Sequence, residues 1–160
     1  MATKKKRVRR ASSVAAELLT KSREAALAAV QIFNSPLITF RSEIFIVLMN
    51  IAWTYLFHAH YRKQGIEYRY FEQKGSRRIF GKTSSGAHKH WELERCINDA
   101  NSPIDKDAAN NLLFLIGIRH EIEHQMTSRL DGALSAKFQA CCLNYNEYVK
   151  KLFGVQHGID

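Results

Sequence analysis

Residues 12–33, SSVAAELLTKSREAALAAVQIF, carry Ala, Leu and Glu at half of their positions, the composition of a long helix. Ser12 or Ser13 can cap it, and Asn34-Ser35-Pro36 breaks it. A second helix is predicted over 39–63. From Ile44 to Phe57 it is apolar nearly all round, which places it at the centre of the fold. The pattern then changes. Ile66, Tyr68 and Tyr70 alternate with Glu67, Arg69 and Phe71, a Lys74-Gly75-Ser76 turn follows, and then RRIFG, so a short β-hairpin is predicted within 64–90. GKTSSGAHKH, residues 81–90, reads as a flexible loop. It lacks the G-x4-G-K-[ST] spacing of a phosphate-binding loop. A short helix over 91–99 is followed by a break at Asn101-Ser102-Pro103. Asp105 can cap a third long helix over 106–127. Leu130-Asp131-Gly132 reads as a turn, and a last helix covers about 133–153. Lys150 and Lys151 in its final turn and Gly154 just after suit a helix C-terminus.

The expected fold is therefore all-α: an antiparallel bundle of four long helices. The short helix and the hairpin are inserted between the second and third of them. The expected organisation is a basic disordered arm over 1–11, one helical domain over 12–155 and a tail over 156–160.

Composition narrows the function classes. A chain of 160 residues with 46% hydrophobic content makes about one domain with a real core. Of the net charge of +9, the arm's Lys4, Lys5, Lys6, Arg7, Arg9 and Arg10 supply +6, leaving +3 on the body. The arm reads as a nucleic-acid-binding segment, an import signal or a solvated tail. The mild basic bias of the body suits an anionic partner. Cys96, Cys141 and Cys142 are odd in number and form no C-x2-C pair, which suits a reducing compartment. A cytoplasmic location is expected. SSVAAELLTKSRE is too charged for a signal-peptide core. FIVLMNIAWTYLF, 45–57, has thirteen residues where a membrane span needs roughly 20. No membrane partner is expected.

The chemistry-bearing stretch is RHEIEH, 119–124, on the third long helix. Leu112, Leu115, Ile116, Ile122 and Met126 form an apolar stripe with Arg119 in its middle. A guanidinium stays charged and is expensive to bury alone, so Arg119 needs a carboxylate or an incoming anion. Glu123, at i+4, is the structural partner. His124 lies about 140° round the helix from Arg119 and shares a face with Leu113, Gly117 and His120. Gly117 costs a helix interior roughly 1 kcal/mol relative to Ala. Close approach of another helix, including one from a second subunit, is a reason to keep it.

Two frames compete. His120-Glu121-x-x-His124 has the spacing of a zinc-peptidase helix, with Asp131, Glu147 or His157 as third ligand. Arg119 and Glu123 intrude on that pattern, and a cation beside the metal opposes its binding. No metal and no other cofactor is therefore expected. In the Arg119-x4-His124 frame, a permanently charged fork suits a phosphorane, and a His suits acid or base work in RNA transesterification. One Arg and one His fall short of the full set, and two copies across a two-fold axis supply it.

RHEIEH resembles the signature of the HEPN superfamily: Arg119, a polar residue (His120), three residues, then His124. FNSPLITFRSEIFIVLMNIAWTYLFHAHY (33–61), NLLFLIGIRHEIEH (111–124) and LDGALSAKFQACCLNYNEY (130–148) are similar to an uncharacterised bacterial HEPN-like family. The resemblance implies an all-α homodimer with the motifs meeting at a cleft, and a metal-independent endoribonuclease of toxin–antitoxin or abortive-infection type. It implies that Arg119 binds phosphate, His124 is acid or base, and His120 orients the site. An antitoxin or other operon partner is the further implication. The tyrosine that follows the His in nucleotidylated HEPN toxins is absent, Gln125-Met126-Thr127 standing there instead.

Other candidates are supporting. Arg41 and Glu43 begin the second helix, and Glu43 can orient Arg119 or a His. His58 and His60 read as structural residues at that helix's exit. His88, His90 and Trp91 could stack on RNA. Tyr68, Arg69 and Tyr70 fit either a basic-aromatic RNA surface or a packed hairpin.

Overall fold

A computed structural model describes the backbone of residues 11–124 and 130–160, with side chains for 13–121 and 134–160. Ala11–Phe33 forms α1, Arg41–Gln64 α2, Leu93–Asn98 α3, Lys106–His124 α4 and Leu130–Phe153 α5. An antiparallel hairpin of β1 (Phe71–Lys74) and β2 (Arg77–Phe80) lies between α2 and α3. The fold is mainly helical, as the pattern predicts. Leu130–Gly132 is a correction: it is the first turn of α5, not a turn between helices. One glycine costs a helix only about 1 kcal/mol. The buried Leu134, Phe138, Cys141 and Tyr145 that follow hold the helix in place.

α2 is the hub, and α1, α3, α4 and α5 all pack on it. Its buried face includes Phe45, Met49, Trp53, Leu56 and Phe57. The opposite side keeps Ile44, Val47 and Ile51 exposed, so the "apolar all round" pattern splits into a core face and an outward apolar stripe. Among the described helices α2 is the one long and apolar enough to cross a membrane. In that window 56% is buried against the rest of the chain, as a core helix requires.

Pairings fix the helix directions. α1 runs antiparallel to α2: Phe33 meets Phe45 at 5.3 Å between ring centres, and the Ser22 hydroxyl reaches the Ala52 carbonyl. That proton is committed to Ala52, so the Tyr145 hydroxyl must donate to Ser22, at 2.7 Å. α5 runs parallel to α2, with Phe138 on Phe45 and Tyr145 edge-on to Trp53. α4 runs antiparallel to α5: the Asp105 N–H donates to the Tyr148 hydroxyl near one end, and Asn111 donates to the Lys137 carbonyl further along.

Local chemistry sets the boundaries. Gly65, at φ 71°, ends α2, and the Ile66 N–H closes back on the Tyr61 carbonyl. The Asp105 carboxylate accepts the Ala108 N–H at 2.8 Å at the start of α4, which holds it below the usual carboxylate range. Asp105→Ala should lower the urea midpoint at neutral pH with an unchanged m-value. An unchanged midpoint would remove the cap from the account.

The segment after α5 is packed rather than loose. A single 3₁₀ turn covers Val155–His157. Arg23 donates to the His157 carbonyl at 2.7 Å, Asn146 accepts the Ile159 N–H at 2.8 Å, and Lys150 pairs with Asp160 at 2.6 Å. The packed unit thus continues to residue 160.

Residues 81–90 also differ from the flexible loop expected. Gly81 N–H donates to Tyr70 O, Lys89 N–H to Gly81 O, and Tyr70 N–H to Lys89 O, so this stretch is laced to the hairpin's root. Gly86, at φ 87°, makes the turn, and the Thr83 hydroxyl accepts the Ala87 N–H.

Candidate functional site

The RHEIEH stretch lies in the last turns of α4. Ala108, Leu112 and Leu115 on this helix are buried, and Arg119 continues their line while remaining half-buried. His120 and Glu121 beside it are exposed. The side chains of Ile122, Glu123 and His124 lie outside the described residues, as does Met126. So do the arm cations Lys4, Lys5, Lys6, Arg7, Arg9 and Arg10.

Gly117, two residues before the motif, is exposed, and a Cβ there would meet none of the described residues within 4 Å. None of the described residues makes the close helix approach expected at this glycine.

The supporting candidates separate. Glu43 is half-buried in the first turn of α2. Arg41 donates from Nη1 to the Phe33 carbonyl at 3.3 Å, tying the start of α2 to the end of α1. Trp91 is buried, edge-on to Tyr61 and under the Arg95 guanidinium at 3.9 Å, so it is a core ring and not the exposed stacking ring the sequence suggested. Tyr68 is buried too.

The zinc frame loses two of its third ligands. Asp105, beside Tyr148, marks the end of α4 remote from the motif. At 1.5 Å per residue, His120 lies roughly 20 Å along the helix from it. Glu147 neighbours Tyr148 on α5, and His157 follows that helix's end, so both lie at the remote end. Among the described residues no three His, Cys, Asp or Glu side chains are grouped to hold a metal. Cysteine chemistry is equally poorly placed: burial pushes Cys96 and Cys141 up to about 12 and Cys142 to about 11.

A cleft of about 590 Å³ opens between α1, α2 and the root of the hairpin, lined by Leu18, Asn50, Ile51, Thr54, Tyr55, His58, Tyr68 and His90–Leu93. His58 is its buried wall. Its Nε2–H donates to the Trp91 carbonyl at 2.7 Å, and its ring stacks on Tyr68 at 4.6 Å. His90 lies 5.3 Å from Tyr68. Burial pushes His58 down from 6.5 to about 4. The folded state keeps it neutral, whereas the unfolded chain takes a proton below about 6.5. Stability is therefore full above that pH and falls as the pH drops towards 4, by up to about 3 kcal/mol from this group. His60 and His90, lowered by burial as well, act in the same direction. Urea unfolding at pH 7.5 and 5.0 should show the loss, with a smaller loss in His58→Gln. An equal loss in both proteins would contradict this assignment.

The geometry defines a small helical domain that carries a half-buried arginine and an exposed histidine in the last turns of a core helix. Residues 17–160 match the family described as "Domain of unknown function (DUF3644)", and the chain belongs to it. No curated protein and no solved structure matches the chain.

Proposed function

We propose that this protein is a HEPN-like, metal-independent endoribonuclease. One observation carries the reading: Arg119 is held half-buried in line with the core stripe of α4, with the polar His120 beside it and His124 on the following turn of the same helix. A phosphate reaching Arg119 meets a fixed charge fork, and the histidine moves protons. The 2′-hydroxyl attacks the phosphorus as it loses its proton to a base, and the 5′-oxygen leaves as it gains one from an acid. The products are a 2′,3′-cyclic phosphate and a 5′-hydroxyl.

A homodimer supplies the second acid–base group. The exposed Ile44 and Val47 on α2, Phe114 on α4 and the exposed Gly117 favour such a partner surface. In this reading α1, α2, α4 and α5 form the antiparallel bundle, with the parallel α2 and α5 on its diagonal. A cytoplasmic role in bacterial defence or a toxin-type system, with an antitoxin or other operon partner, follows from the HEPN resemblance. The test is cleavage of RNA by the purified chain without metal.

A second reading, a noncatalytic RNA-binding or protein-interaction module, is favoured by the basic, exposed hairpin. RNA retention without cutting would select it.

A further inference from the structure

Positive charge on the body is concentrated in one place. Residues 69–90 hold Arg69, Lys74, Arg77, Arg78, Lys82 and Lys89 against the single acid Glu72, a net +5. With +6 in residues 1–10 and +9 overall, the rest of the chain nets −2. The basic bias of the body is therefore a property of the hairpin and its return segment, not of the helices.

Arg69 is committed to Glu67, whose carboxylate accepts its Nε and Nη2 at 2.8 and 3.0 Å. The other five cations are exposed. They are interleaved with rings. Phe71 faces Phe80 across the ladder, the Arg78 guanidinium lies 4.8 Å from the Phe71 ring, and the His88 ring lies 5.7 Å from Phe80. Phe71 and Phe80 also steady the ladder by packing on each other, but Phe71 keeps an exposed edge and His88 is exposed. A strand of nucleic acid uses both, cations for its phosphates and rings for its bases.

The same hairpin opens at its root into the 590 Å³ cleft. That volume is in the range of sites for small planar ligands. The cleft offers the Tyr55 and His90 rings, the Asn50 amide and the Glu92 carboxylate. Lys21 lies 5.8 Å from the Tyr55 ring.

We propose that the cleft and the hairpin together bind single-stranded RNA: an unpaired base enters the cleft against His90 and Tyr55. The flanking backbone runs out past Lys89 and Lys82 towards Arg77 and Arg78. Recognition is of an unstacked base and a charged backbone, so single strands are preferred to duplexes. That the strand is RNA rests on the cleavage reading above; the surface itself stands without it.

The test is fluorescence anisotropy with a labelled mixed-sequence 12-nucleotide RNA whose 2′-oxygens are methylated, so that it cannot be cut by 2′-hydroxyl attack. The full chain is used with its six arm cations changed to Ser, so that the arm does not mask the hairpin. Arg77→Glu with Arg78→Glu should raise Kd at least tenfold. It should also flatten the dependence of log Kd on log salt by about 1.4, at roughly 0.7 per phosphate contact. His90→Ala should raise Kd about fivefold or more while leaving the salt slope unchanged, as lost stacking requires. Thermal melts check that these exposed changes leave the fold intact. In the wild-type chain, photocrosslinks from 4-thiouridine RNA should map to residues 55–58 and 69–90. Unchanged Kd and salt slope in the double variant would overturn the proposal, and so would crosslinks confined to other segments. Duplex RNA bound as tightly as single strands would overturn it too, as would a tenfold preference for single-stranded DNA.

Discussion

His124→Ala is expected to lower RNA cleavage by about 10²- to 10⁴-fold, the span that one positioned acid–base group contributes. The fold should survive, because α4 is anchored by Ala108, Leu112 and Leu115 and by the Asp105 cap, all of them N-terminal to the motif. Arg119→Lys should be nearly as damaging in kcat. A lysine keeps the charge but loses the planar fork that spans two phosphate oxygens. Far-ultraviolet circular dichroism and the urea midpoint of both variants should match wild type. Wild-type cleavage by His124→Ala would remove that histidine from the chemistry.

Trp53→Ala is expected to give the largest loss of stability, about 3–5 kcal/mol, the range for deleting a large buried aromatic. Trp53 is fully buried on the hub helix and touches the rings of Phe57, Tyr145 and Tyr148. Tyr145 in turn ties α5 to Ser22 of α1 and, through it, to the Ala52 carbonyl. One truncation therefore loosens three helices at once. Equilibrium urea unfolding measures it, and a loss below about 1 kcal/mol would mean that the cavity collapses or that α2 is not the hub.

The helices were legible because each carries its own signal: Asp105 before α4, Asn34-Ser35-Pro36 after α1, the apolar run in α2. The start of α5 was not, because Leu130-Asp131-Gly132 carries turn residues locally and is held helical by packing further along the chain. The return of 81–90 onto Tyr70 was equally hidden, since its hydrogen bonds join residues that no periodicity links. Arg119 was legible as an anomaly, a cation on a core stripe, and the structure places it half-buried there. The cleft was not, because Tyr55, His58, Tyr68 and His90 meet only once the hairpin folds back on α2. The charge on residues 69–90 was present in the sequence all along. It disappears when the charge of the body is averaged, and it stands out when the hairpin is counted separately.

The most direct measurement is incubation of the purified wild-type chain with a labelled mixed RNA pool in EDTA, followed by analysis of the fragment ends. Cutting in the absence of metal is expected, with 2′,3′-cyclic phosphate and 5′-hydroxyl ends. RNA recovered intact from a folded, dimeric, RNA-binding protein would contradict the endoribonuclease assignment and leave binding as the function.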